Sequence, residues 1–126
     1  MHQLEEVYQG KGRNIYSTVD IKSCTLDSFI FDRANPSPQL IKIDVEGAEI
    51  SVLKGAVKTL EVHKPTFVVE IHGPQNALKI WKLLQNTGYT WYHLAKGPRQ
   101  RTASELEVQS YFSPASWTHH FLIKKP

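Results

Sequence analysis

The apolar positions of this chain change period along its length, and each change marks an element. Leu40-Ile41-Lys42-Ile43-Asp44-Val45 is short, β-branched and mostly apolar, and it reads as a buried strand running into a carboxylate. From Glu46 to Glu61 the spacing becomes helical, with Val52, Leu53, Ala56, Val57 and Leu60 on one stripe. Glu46 and Glu49 open this helix and Lys54 and Lys58 follow, the order of signs that suits a helix dipole. Thr66–His72 predicts a second strand. Gly73-Pro74 then starts a helix whose apolar face is Leu78, Ile80, Trp81, Leu83 and Leu84, closed at Gly88. Tyr89–Leu94 is strand-like, Ala103–Gln109 can form a helix, and Thr118–Lys124 reads as a last strand antiparallel to Tyr89–Leu94. Upstream, Gly10-Lys11-Gly12 suits a turn, Ile15–Cys24 alternates loosely as a strand, and Thr25–Ile30 reads as a capped helical turn.

Two such strands joined by a helix should lie parallel through a right-handed crossover. Their apolar runs predict helices on both faces of the sheet. The expected fold class is therefore α/β, with parallel core strands and an antiparallel strand pair at the C-terminal end.

Composition narrows the setting. The 126 residues are enough for one domain, and a full seven-stranded α/β enzyme needs roughly 200, at about 30 residues per strand–helix–strand unit. No apolar run approaches the roughly 18 residues of a membrane-spanning helix, and no secretory signal stands at the N-terminus. A single cysteine, Cys24, excludes an internal disulfide and a multi-cysteine zinc site, so a cytoplasmic setting and an inert packed thiol are expected. The net charge of +3 is uneven: seven Lys/Arg against nine Asp/Glu up to His63, then eight against three. That basic excess is spread as on a solvated face, and no nucleic-acid partner is expected from it.

Ligands of open parallel sheets bind beyond the carboxyl ends of the strands. Asp44 and Glu46 leave the first strand there, and Glu70 and His72 end the second, with adjacent strands about 4.8 Å apart. Carboxylates and an imidazole so gathered can act as a base and its orienter, or as ligands of a divalent ion. The same residues also suit a helix start and a hydrogen-bonded strand end, and spacing does not choose between these readings. His119 and His120 should point to opposite faces of their strand and cannot hold one ion together.

The run Leu40–Glu49, continued by Val52-Leu53-Lys54-Gly55-Ala56, resembles the signature of the FkbM-type methyltransferases. Thr25-Leu26-Asp27-Ser28-Phe29 before it, Phe67–His72 after it, and Leu83-Leu84 through Gly88-Tyr89 agree with that family over about residues 18–93. The resemblance implies part of a Rossmann-like methyltransferase sheet, with Leu40–Val45 and Thr66–His72 as its fourth and fifth strands. It implies S-adenosylmethionine as cofactor, touched by Asp44, and a small-molecule or glycan hydroxyl as acceptor, lined by Glu46, Glu70 and His72. Asp44 and then His72 would take the hydroxyl proton. A divalent ion would be another way to lower the hydroxyl pKa, but no residue pattern calls for one.

Residues 25–126 are thus expected to be the C-terminal part of a methyltransferase domain, and 1–24 an extension with an edge strand. The first 24 residues hold no strand leading into a glycine-rich turn, so the cofactor loop is absent from the sequence and the chain alone should be inactive. A non-catalytic binding or assembly module is the alternative, and a small metal-dependent hydrolase a third class. Either Ile15–Cys24 covers the free edge of Leu40–Val45, or that edge favours self-association.

Overall fold

The computed structural model describes residues 19–97 and 100–126. Five strands, β1 (Leu40–Ile43), β2 (Thr66–His72), β3 (Thr90–His93), β4 (Arg101–Thr102) and β5 (Thr118–Lys124), form one mixed sheet in the order β1-β2-β5-β3-β4. β1 and β2 are parallel, as expected. β5 is antiparallel to β3 as expected, and it is also antiparallel to β2, so the last strand fills the space between the two. The helices are α1 (Glu49–Lys54), α2 (Val57–Val62), α3 (Pro74–Leu84) and α4 (Glu105–Ser110), preceded by a π-helical turn at Ser28–Asp32.

The core lies on one face of the sheet. Ile43, Phe67, Val69, Ile71, Trp91, Phe121 and Ile123 pack with Leu53, Leu60, Ala77, Ile80, Leu84 and Val108, which the four helices contribute. The expectation of helices on both faces is corrected here: among the described residues all four helices contribute to this one core. β2 alternates buried and half-buried residues, because its second face carries Thr66, Glu70 and His72 as well as Val68. On that face Lys42, Val68, Leu122, Tyr92 and Arg101 stand in one cross-strand row.

The helix expected over Glu46–Glu61 is broken twice. Val45–Ala48 is a turn closed by the Ala48 N–H on the Val45 carbonyl (3.2 Å), with Glu46 at φ 53° and Gly47 at φ 104°. Both are in the left-handed region, as a type I′ turn requires. The second break is at Gly55, where a Cβ would come within 3.1 Å of Thr25. α2 then starts under a remote cap. Asp27 accepts the N–H groups of Lys58 and Thr59 (2.9 and 2.8 Å) and the Thr59 hydroxyl (2.7 Å).

Of the strand expected at Ile15–Cys24, residues 15–18 lie outside the described residues, as does the turn at Gly10–Gly12. Residues 19–24 are exposed and form no strand, and Cys24 is exposed rather than packed. Val19 and Ile21 alternate with polar Asp20 and Lys22 as a strand face would, but at 81% and 84% exposure they pack against no other described element. No helix among the described residues is long and apolar enough to cross a membrane.

Candidate functional site

β1, β2 and β3 run in one direction and β5 returns between them, so one edge of the sheet collects the ends of β1–β3 and the start of β5. Asp44, Glu46, Glu70 and His72 meet there. His72 is the hub. Its Nε2 lies 3.5 Å from Glu70 Oε1 and 3.6 Å from Glu46 Oε2, and its Nδ1 is 2.8 Å from Glu49 Oε1. The left-handed turn at Glu46-Gly47 delivers the Glu46 carboxylate to this ring across the gap between the strands.

Glu49 holds the arrangement from beneath. It is fully buried at the start of α1, accepts the Gly47 N–H at 2.9 Å and the His72 ring, and takes a third bond from the Asn76 amide on α3. Every oxygen of this buried carboxyl group therefore has a partner, which is the condition for tolerating it. Neither Glu49 nor Asn76 stood out as a site residue in the sequence. The signal was present, however: Glu49 stands four residues before Leu53, and Asn76 four before Ile80, on the buried stripes of their helices.

Burial pushes the His72 pKa down, but the hydrogen bond to Glu49 and the charges of Glu49, Glu46 and Glu70 outweigh it, and the net direction is up from 6.5. That balance favours the protonated form of the ring among these carboxylates. Asp44, Glu70 and His72 each present a ligand-type atom, all within 4.8 Å of one another, close enough to share a divalent ion. Of these three Asp44 is the most accessible, and it is paired with Lys42 at 3.5 Å. Asn76 leaves its Oδ1 buried without a partner, a lone-pair acceptor beside this acidic group.

β5 adds residues that the sequence reading did not assign. His120 reaches Glu70 Oε2 at 2.9 Å on the open face of the sheet. His119 points to the other face and bonds His93 at 2.8 Å, so the two adjacent histidines do face opposite ways.

No solved structure matches this chain. Hexuronic acid methyltransferase AglP of Haloferax volcanii is 37% identical over 68 residues, which cover 53% of this chain and 28% of that protein. The chain thus spans little more than a quarter of that relative's length. A family model described as the methyltransferase FkbM domain matches residues 2–90, well over half of the chain. The chain belongs to the FkbM-domain methyltransferase family.

Proposed function

We propose that this chain forms the acceptor side of an S-adenosylmethionine-dependent O-methyltransferase acting on a hydroxyl of a small molecule or glycan. The observation that carries this reading is the convergence of Asp44, Glu46, Glu70 and His72 at the carboxyl edge of two parallel strands, in a chain of this family. The acidic edge and the unpartnered Asn76 Oδ1 suit the cationic end of the cofactor. Among the described residues no strand leads into a glycine-rich turn, so the residues gathered at this edge are assigned to the acceptor and the methyl end of the cofactor rather than to its adenosine. When bound, S-adenosylmethionine supplies the sulfonium methyl group.

The chain's own part is orientation and proton transfer. Asp44, accessible at the end of β1, is the first choice to touch the cofactor and to accept the hydroxyl proton. His72 is the second. Its Nδ1 is committed to Glu49, so only Nε2 can take a substrate proton, and only after the ring has lost its own. Glu46 and Glu70 line the acceptor side and hold that ring in place, which favours an aligned attack.

Binding of S-adenosylhomocysteine tests the reading. At millimolar ligand the melting temperature of the chain should rise, and Asp44→Asn should remove the rise. A rise that survives Asp44→Asn, or one produced by magnesium or manganese instead, would overturn it. The second reading, a non-catalytic assembly module, is favoured by one observation. β1 pairs on one side only among the described residues, and Leu40 on it is 61% exposed. Concentration-dependent association that Leu40→Lys abolishes, with no response to S-adenosylhomocysteine, would establish that alternative.

A further inference from the structure

Two carboxylate oxygens face His72 Nε2, Glu70 Oε1 at 3.5 Å and Glu46 Oε2 at 3.6 Å. Both stand beyond the roughly 2.7–3.2 Å of an N–H···O hydrogen bond. They match a different spacing. Bonds of about 2.1 Å at tetrahedral angles hold neighbouring ligand atoms of a zinc ion about 3.4 Å apart. An octahedral magnesium ion, with bonds of about 2.05 Å, needs its neighbouring ligands about 2.9 Å apart. Asp44 supplies a third group: the ligand atoms of Asp44, Glu70 and His72 all lie within 4.8 Å of one another. The Asp44 side chain, exposed beyond the end of β1, can close the remaining distance by rotation.

A second feature is independent of that spacing. Each of the three groups is held from outside the set. Buried Glu49 takes His72 Nδ1 at 2.8 Å, which leaves Nε2 to the edge. His120 takes Glu70 Oε2 at 2.9 Å, which leaves Oε1 to the His72 side. Lys42 stands 3.5 Å from Asp44 Oδ2. A carboxylate on the far nitrogen of an imidazole is the usual outer support of a metal-bound histidine. Charge agrees. The ion pairs of this edge set the carboxylates of Asp44, Glu46, Glu49 and Glu70 against one lysine and two imidazoles, and a dipositive ion relieves that excess.

We propose that Asp44, Glu70 and His72 form a zinc site, with His72 Nε2 and Glu70 Oε1 as its preset ligands, Asp44 as the third, and the fourth position open. Three protein ligands with one open position is the arrangement of a zinc ion that acts on what it binds. The ligand chemistry stands on these residues alone. Only the ion's role rests on the methyltransferase reading, in which it would lower the pKa of an acceptor hydroxyl as zinc does for bound water. With the ion on Nε2, proton acceptance falls to the carboxylates, Asp44 first.

Equilibrium dialysis of the full chain against zinc chloride at pH 7.5 tests the site, with cobalt(II) as a visible probe. One zinc per chain is expected. His72→Gln and Glu70→Gln should each weaken binding by more than about 100-fold, beyond the range of an outer-shell change, and Glu49→Gln by about tenfold. Cobalt should show the intense visible bands of a four-coordinate ion. No stoichiometric zinc, the faint bands of six-coordinate cobalt, or binding that survives both His72→Gln and Glu70→Gln would overturn the proposal. Survival in both is what exposed histidines elsewhere, such as His63, would give. If His72→Gln does not fold, Glu70→Gln and the wild-type cobalt spectrum decide. Zinc binding without a response to S-adenosylhomocysteine would leave the site standing and the methyltransferase reading fallen. A response to S-adenosylhomocysteine in chelator-treated protein that binds no zinc would do the reverse.

Discussion

At the scale of single residues, the site depends on a buried carboxyl group that touches no substrate. Glu49 fixes which nitrogen of His72 faces the cleft and supplies the largest contribution that raises the ring's pKa. Glu49→Gln keeps the shape and removes the charge. The His72 pKa should then fall, because burial remains while its main opponent is gone and only Glu46 and Glu70 still raise it, and a proton NMR titration of the ring would show it. Glu49→Ala should cost about 3 kcal/mol of stability, since the Gly47 N–H, the His72 ring and the Asn76 amide all lose their acceptor. Denaturant unfolding of the two variants separates these effects. The four residues that the sequence brought forward, Asp44, Glu46, Glu70 and His72, were legible because they end apolar strands. Glu49 and Asn76 were hidden because a polar side chain inside a helix usually faces water, and only its place on the apolar stripe says otherwise.

At the scale of elements, strands were easier to read than helix ends. Thr66–His72 has the same bounds in sequence and structure, since a β-branched run between Pro65 and Gly73 has little freedom to shift. The helix after β1 was read as one piece because its apolar spacing continues through Gly55. What divides it is tertiary: Thr25 must pass close to Gly55, and Asp27 caps α2 from 31 residues away. No local pattern contains such a contact. β5 between β2 and β3 was likewise half visible, because antiparallel pairing was predictable and insertion between the two strands was not. The remote cap makes a specific expectation. Asp27→Ala should lose about 2 kcal/mol, the upper end for an N-cap, as it leaves two N–H groups and the buried Thr59 hydroxyl unsatisfied. Hydrogen exchange should locate the loss at Lys58 and Thr59 and leave β2 protected at the remaining global stability. Uniform loss across β2 and α2 beyond that value would assign Asp27 a wider role than a cap.

At the scale of the whole molecule, the two histidine centres on the same edge respond to protons in opposite directions. His72 faces Glu46, Glu49 and Glu70 and has its pKa raised, so its contribution to stability is complete below 6.5 and is lost as pH rises through the higher folded value. His93 faces His119, His120 and Lys96, packs on Tyr111 and Phe121, and has its pKa lowered. The unfolded chain then takes up a proton below 6.5 that the folded ring refuses, so stability falls as pH falls toward the folded value. One centre limits the alkaline side and the other the acid side, and a stability maximum near pH 6.5 follows. Melting temperatures measured from pH 5 to 8.5, above the range where most carboxylates titrate, should trace that maximum. His72→Gln should flatten the alkaline limb alone, and His93→Gln the acid limb alone. If either substitution flattened both limbs, the rings would be coupled through the Glu70–His120 pair rather than independent, and the edge would act as one titrating network.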